Sequence, residues 1–241
     1  MLNRQSYKNF LMEWIIINTV NCFLGFLLWL ILGVLIDKVQ LKPNLAFYLI
    51  LFFLPGVVIG LSQWLLLLEK IPTISWLWIL SNVPGLYLAF ISTVVACFFI
   101  LTSEFIGKFL QVTDGLTQTF LIASIGGAIG GAVGGIITGI IQHLLIRKNF
   151  SVNRLWIITS IVGWSVSWSL GWTVALIIGF HSPIFNAIFK AVRYFSGISS
   201  DSNFGLGLPL PFFGIIFGFV NAIITGKVLV RLLRQSKQTH S

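Results

Sequence analysis

Few side chains in this sequence could do chemistry, and the most suggestive of them recur at one position in three apolar segments. Gln63 and Gln142 each follow a Gly-x-x-x-Gly pair by three residues, and Thr225 follows the pair Gly218 and Ala222 by the same spacing. Polar groups inside a membrane often mark the path of a substrate, so the three could line one shared site or inner mouth. They could equally make separate hydrogen bonds between helices, each worth about 0.6 kcal/mol.

Two amides extend this candidate polar site. Asn82 lies beside Pro84, and Asn221 precedes Thr225 by one helical turn. Because proline removes a backbone hydrogen bond, Pro84 and Pro55 should each kink a helix near its middle. Kinks beside amides are found at transporter sites, and also where neighbouring helices restore the lost bonds. Both interpretations stay open at this point.

The reactive groups of an enzyme are missing from the sequence. It contains no His-Glu-x-x-His, no Cys-x-x-Cys and no Gly-x-Ser-x-Gly motif, and no pair of carboxylates falls inside an apolar segment. We therefore expect no enzymatic activity, no metal site and no cofactor. The lack of intramembrane acids also argues against a pump driven by protons or sodium. A facilitator or channel for neutral solutes remains possible.

The elements that must position these residues are membrane helices. Of the 241 residues, 57% are hydrophobic and only 9% are charged, whereas soluble domains have about 25% charged residues. Uncharged segments cover about 14 to 36, 44 to 68, 76 to 101, 117 to 146 and 155 to 180, and a sixth begins after Pro211 and reaches Lys227. A helix needs ~20 residues to cross the bilayer. The sequence predicts an all-α integral membrane protein with six transmembrane helices in a single domain, 1–241.

An internal repeat organises these segments. Trp78 precedes Gly85 by seven residues, and Trp156 precedes Gly163 by the same spacing, while the first segment keeps only Trp14. With the Gln63, Gln142 and Thr225 pattern, this predicts three pseudo-repeated hairpins at about 11–70, 74–150 and 152–234. Copies with an even number of crossings are parallel, so their axis would run along the membrane normal.

Two patterns complete the predicted architecture. Between the last two segments, apolar residues at helical spacing predict an amphipathic helix at about 183–196 that lies on the membrane surface. The stretch "GVVIGLSQWLLLL" resembles uncharacterised multi-pass membrane proteins of cyanobacteria and related bacteria, which repeat a glycine-spaced helix ending in Gln-Trp-Leu. No activity is attached to that family, so the resemblance implies none.

The fourth segment carries a run of glycines, "IGGAIGGAVGGIITG". At a spacing of four residues these glycines form two adjacent rows, one of Gly126, Gly130 and Gly134 and one of Gly127, Gly131, Gly135 and Gly139. A strip without side chains lets another backbone approach closely, and such contact holds helices together in lipid. We expect the strip to meet a helix of the same chain, with a second copy as the alternative.

Tryptophans form two further patterns. Trp164, Trp168 and Trp172 recur at a spacing of four residues and could hold a flat isoprenoid or pigment ring, or could form a ridge that packs or faces lipid. Trp14, Trp76, Trp78 and Trp156 fall at one predicted membrane boundary, which is typical of an aromatic belt at the lipid interface.

Charge predicts orientation and partners. The net charge is +9, but the basic residues flank the ends of the apolar segments, where they would meet anionic lipid head groups rather than nucleic acid. Ten of the fifteen Lys and Arg fall on the side of the termini, so both termini should be cytoplasmic in a bacterial inner membrane or a thylakoid membrane. The expected partners are the bilayer and either another membrane protein or a second copy of the chain.

These observations predict a structural subunit of the membrane, which works in interaction or assembly through glycine-mediated helix packing. The alternative is a small transporter or channel for neutral solutes, with its polar site on the even-numbered helices. A wide, water-accessible cavity that contains Gln63 and Gln142 would favour transport. A dry centre packed by glycine would favour the structural role.

Overall fold

The computed structural model of the protein describes residues 4–38, 45–103, 115–147, 154–181 and 210–238. These residues form α1 (Arg4–Lys38), α2 (Leu45–Leu68), a 3₁₀ segment (Trp76–Leu80), α3 (Asn82–Thr102), α4 (Gly115–Ile146), α5 (Leu155–His181) and α6 (Leu210–Gln238). No strand occurs among the described residues, in agreement with the predicted all-α class. The predicted surface helix at 183–196 lies outside them.

Within the described residues, five helices are long and apolar enough to cross a membrane: Gln5–Ile36, Trp76–Thr102, Thr117–Ile146, Leu155–Ile178 and Leu210–Gln235. Side chains of α2 are described from Phe53 onward, and there the helix has an apolar stretch, Phe53–Leu68. Rows of exposed Ile, Leu and Val follow the outside of α1, α3, α4 and α5. An apolar surface of this extent is suited to lipid, so the structure supports a membrane-embedded protein.

The third apolar segment is broken near its start. Ser75 caps the 3₁₀ segment by accepting the N–H of Leu77 at 3.3 Å, and α3 begins only at Asn82. Pro84 therefore lies in the first turn of α3, where a helix tolerates proline because those N–H groups have no helical partner. The kink expected at Pro84 in the middle of a helix is thus wrong. Pro55 does lie inside α2.

The six α-helices of the described part of the chain form a closed ring. Each packs against the next one along the chain, and α6 also packs against α1. Neighbouring helices run antiparallel. Along α4, for example, Gly126 lies beside Cys97 and Gly134 beside Gly85, so the contacts on α3 descend as those on α4 ascend. The first and last helices, α1 and α6, are therefore direct neighbours.

A glycine lies at every contact between neighbours in this ring. A Cβ atom built on Gly25 would lie 2.9 Å from the Cα atom of Pro55, and one built on Gly56 would lie 2.9 Å from that of Val83. Between α5 and α6, a Cβ on Gly171 would lie 2.7 Å from the ring of Phe213. Between α6 and α1, a Cβ on Gly218 would lie 2.6 Å from the carbonyl oxygen of Asn18. At Gly25, Gly56 and Gly218 the nearest atoms belong to the backbone of the neighbouring helix, so a side chain there would push two helices apart.

Two apolar clusters fill the centre of the ring. The lower cluster, nearer the chain ends, includes six side chains with almost no exposure: Trp14, Leu67, Trp78, Ile146, Trp156 and Leu229. The upper cluster includes Cys22, Phe26, Leu86, Trp164, Trp168, Phe213 and Phe217. The candidate polar residues lie between the two clusters.

Candidate functional site

A layer of buried polar side chains separates the lower and upper clusters, and every helix contributes to it. On α1, for example, Trp14 belongs to the lower cluster, Asn18 to the layer and Cys22 to the upper cluster, at one-turn intervals. We call this set the polar layer: Asn18, Gln63, Ser81, Asn82, Thr138, Gln142, Ser160, Asn221 and Thr225. It contains all five residues of the predicted polar site. None of its members is charged.

Gln63 has the densest hydrogen bonding in the layer. Its Oε1 accepts from Nδ2 of Asn82 at 3.0 Å and from the indole N–H of Trp78 at 3.2 Å. Its Nε2 donates to Oδ1 of Asn18 at 2.6 Å, and Asn18 donates in turn to the carbonyl oxygen of Trp14 at 2.7 Å. The amide therefore joins three helices and the 3₁₀ segment, and both lone pairs of its oxygen are used.

Gln142 and Thr225 make separate contacts elsewhere in the layer. Nε2 of Gln142 donates to Oγ of Ser81 at 3.2 Å, and Ser81 donates to the carbonyl oxygen of Trp78 at 2.7 Å. Thr225 accepts from the indole N–H of Trp14 at 3.4 Å and donates to the carbonyl oxygen of Asn221 at 2.8 Å. Gln63, Gln142 and Thr225 thus lie at one depth, but each bonds to its own set of neighbours.

The predicted polar site included Asn82 but neither Asn18 nor the tryptophans that complete these bonds. Trp14 is followed one turn later by Asn18, and Trp78 by Asn82. This Trp-x-x-x-Asn spacing places the ring in the lower cluster and the amide in the polar layer. On α5 the same spacing gives Trp156 and Ser160, with a hydroxyl in place of the amide. Since this spacing is visible in the sequence, it could have identified the missing members.

The two glycine rows of α4 face two different neighbours within the chain. The row of Gly126, Gly130 and Gly134 lies against α3, where a Cβ on Gly134 would lie 2.7 Å from the carbonyl oxygen of Gly85. The row of Gly127, Gly131, Gly135 and Gly139 lies against α5, where a Cβ on Gly135 would lie 2.6 Å from the carbonyl oxygen of Ser160. In this structure the strip is used inside the protein.

The tryptophans lie inside the ring rather than at a lipid boundary. Of the four tryptophans of the predicted aromatic belt, Trp14, Trp78 and Trp156 are at most 1% exposed, whereas Trp76 is 60% exposed. The predicted aromatic belt is therefore wrong for three of its four members, because their rings fill the lower cluster.

On α5, Trp164 and Trp168 are also buried. The indole of Trp168 packs edge-on against Phe213 and Phe217, with ring centroids 4.9 and 5.5 Å apart, and its N–H donates to Oγ1 of Thr93 at 2.9 Å. These two rings form an internal packing ridge. Nothing is left of their faces for a pigment.

A scan against protein-family models finds no match, and neither do searches of the curated proteins and of the solved structures. The resemblance to the cyanobacterial hairpin proteins stays a prediction, and function has to be inferred from geometry. Among the described residues, no group of three or more His, Cys, Asp and Glu could hold a metal ion.

The polar layer is suited to holding helices in register. Its best-connected member, Gln63, has no acceptor capacity left for a ligand. Four buried polar atoms in or beside the layer, however, have no hydrogen-bond partner: Oγ1 of Thr138 on α4, which lies against Gly85 of α3, and Nε1 of Trp156, Oγ of Ser160 and Oδ1 of Asn221 on α5 and α6. The layer therefore has a self-satisfied side and an unsatisfied side.

Proposed function

We propose that this protein is a structural subunit of the membrane, which works in interaction or assembly as a rigid helical unit. The observation that carries this proposal is that the side chain of Gln63 is already hydrogen-bonded to other residues of the chain. A binding group on a transport path must be free to bond its solute. The hydrogen bonds of Gln63 are instead directed to Asn18, Trp78 and Asn82. Its side chain is buried, and glycine contacts close the ring around it.

We further propose that the chain crosses the membrane six times as three related hairpins, with both termini in the cytoplasm of a bacterial inner membrane or thylakoid. The antiparallel ring supports an even number of crossings, because its first and last helices are neighbours that run in opposite directions. The equivalent placement of Trp14 and Trp78 in the lower cluster supports a repeat. The excess of Lys and Arg on the side of the termini supports the orientation.

In this proposal a partner docks on the outside of the ring, since the α4 glycine strip is already covered by α3 and α5. The outside presents apolar rows such as Ile125, Ile129 and Ile140 on α4 and Ile158 and Val162 on α5. In lipid such rows associate through shape and van der Waals contact. Another membrane protein and a second copy of the chain both fit this chemistry.

Photo-crosslinking in native membranes tests the structural role. A photoreactive residue is placed at one outward position of each of four helices, such as Val20, Val94, Ile129 or Val162, and at the buried position Leu86 as a control. A stable partner gives one discrete adduct from one side of the ring, which survives purification in mild detergent at fixed stoichiometry. If no outward position yields a protein adduct, the proposal is wrong.

A second candidate function is the passage of a small neutral solute. The observation in its favour is the set of unpartnered polar atoms on α4, α5 and α6. The test is solute flux into proteoliposomes with the wild-type protein, Gln63→Leu and Gln142→Leu. Flux that both substitutions abolish, while the variants stay folded, would establish transport. Unchanged flux with a stable fold would eliminate a path through these two residues.

A further inference from the structure

The unsatisfied side of the polar layer contains side chains that are almost completely buried. Trp156 and Ser160 are 1% exposed and Asn221 is 8% exposed, and Nε1, Oγ and Oδ1 of these residues have no hydrogen-bond partner. A buried polar group without a hydrogen-bond partner destabilises the folded protein. Three such groups in one sector indicate that a bonding partner is missing from the protein itself.

These three groups lie around one face of α5. An α-helix turns by about 100° per residue, so Trp156, Ser160 and Gly163 fall within about 60° of one another around the axis of α5. A Cβ on Gly163 would lie 2.6 Å from Oδ1 of Asn221, so this oxygen of α6 sits against that face. Ser160 borders α4, because a Cβ on Gly139 would lie 2.9 Å from its Cβ atom. We call Trp156, Ser160 and Asn221 the polar wedge.

The chain itself explains why the wedge is unsatisfied. In the first two hairpins, the position one turn after the tryptophan is Asn18 or Asn82, and each amide reaches Gln63. In the third hairpin this position is Ser160, and Thr225 stands where the other hairpins have glutamine. Each replacement exchanges a carboxamide for a hydroxyl and makes the side chain shorter. At these two positions the carboxamides that bond to one another in the first two hairpins therefore have no counterpart.

We propose that the polar wedge is a binding site for water. The indole N–H of Trp156 is a donor, Oδ1 of Asn221 is an acceptor and the hydroxyl of Ser160 is both, so water can bond to each of the three. Three hydrogen bonds is the usual number for a buried water. No member of the polar layer is charged, which suits a neutral ligand.

Radiolytic hydroxyl-radical labelling of the full-length protein in lipid nanodiscs tests this site, because a bound water generates radicals beside the side chains that it touches. The chain offers matched controls: Trp14 and Trp78 are as deeply buried as Trp156, but their indoles donate to Thr225 and Gln63. We expect Trp156 to be oxidised several-fold faster than either control. Equal, low oxidation of all three rings would overturn the proposal.

Two variants give a second readout. Ser160→Ala removes one partner of the water, so oxidation of Trp156 should fall towards the level of Trp14 and the melting temperature should drop. Thr159→Ala is the control, since its hydroxyl donates to the carbonyl oxygen of Leu155 and lies outside the wedge. If Ser160→Ala instead raises the melting temperature without changing the oxidation of Trp156, no water molecule bonds to the Ser160 hydroxyl. The proposed water site is then wrong.

Discussion

A single buried glutamine, Gln63, illustrates how a polar side chain can hold helices in register inside a membrane. Gln63 exposes almost nothing to solvent or lipid, and it bonds to groups on α1, on α3 and in the 3₁₀ segment. In an apolar surrounding, an amide with unmet hydrogen bonds is costly. Only one arrangement of the four elements meets these bonds, so Gln63 fixes their register.

Replacing Gln63 by leucine should destabilise the fold by roughly 2–3 kcal/mol. The substitution removes three hydrogen bonds, each worth about 0.6 kcal/mol on average and at most about 1.7 kcal/mol in a membrane, and leaves Asn18, Trp78 and Asn82 with unmet groups. Equilibrium unfolding in mixed micelles, followed by helical circular dichroism, measures this change.

Ser62→Ala is the control for that experiment, because the Ser62 hydroxyl donates only to Ile59 of its own helix, at 2.8 Å. Its unfolding should stay within about 0.5 kcal/mol of wild type. Equal stability of Gln63→Leu and Ser62→Ala would contradict a register role for Gln63.

At the scale of elements, α4 is held on two sides by backbone contact. Gly134→Ala should therefore destabilise the protein by about 1–3 kcal/mol, since the new Cβ would lie 2.7 Å from the carbonyl oxygen of Gly85 and 2.8 Å from the Cβ of Ala89. Neither of these atoms belongs to a flexible side chain. The helices must separate instead, and loss of thermal stability is the measurement.

Gly33 supplies the comparison, because a Cβ at that position meets nothing within 4 Å. Gly33→Ala should leave stability unchanged or raise it by a few tenths of a kcal/mol, as expected from helix propensity. A similar loss in both variants would show that propensity, rather than close packing, explains the effect at Gly134.

The aromatic contact between α5 and α6 gives a third prediction. Phe217 is 1% exposed and packs edge-on against Trp164 at 5.2 Å and against Trp168 at 5.5 Å between ring centroids. Phe217→Ala should cost about 3 kcal/mol through the cavity that it leaves. Phe219→Ala, two residues away and 46% exposed, should change stability little. Thermal unfolding in detergent compares the two, and equal melting temperatures would be inconsistent with this packing.

The sequence predicted the helical class and the positions of the apolar segments, because a run of uncharged residues longer than about 20 leaves the backbone few alternatives in lipid. It also singled out Gln63, Gln142, Asn82, Asn221 and Thr225, all of which are buried in the polar layer. Which groups bond to which could not be predicted, because hydrogen bonds between helices depend on rotation about each helix axis.

The misplaced tryptophans show the same limit. Depth along a helix can be counted from the sequence, so Trp14, Trp78 and Trp156 were correctly expected at one level. Whether a ring at that level faces lipid or the centre depends on the neighbouring helices. In this protein the three rings fill the space between helices that glycine has brought close, and of the four tryptophans only Trp76 is exposed.

At the scale of the whole molecule, closure of the ring makes the positions of the two ends testable. The antiparallel order of six helices places the start of α1 beside the end of α6, where Arg234 lies 4.9 Å from the ring of Tyr7. Epitope tags at the two termini should therefore be cleaved together by a protease added to one side of sealed vesicles, and should be protected together from the other side. Tags that respond to opposite sides would rule out six crossings.

The contact between α1 and α6 also determines when the protein can be completed during synthesis. The face of α1 that contains Asn18 and Cys22 is covered by Gly218 and Gly214, which the ribosome adds roughly 190 residues later. At about 5–20 residues per second, this face waits on the order of ten seconds or more for its neighbour. During that interval Trp14 has no Thr225 to bond. The nascent chain therefore needs either a temporary binding partner at α1 or an α1 that stays in place while this face is uncovered. An arrested chain that ends before α6 would expose that face to the cell's quality control.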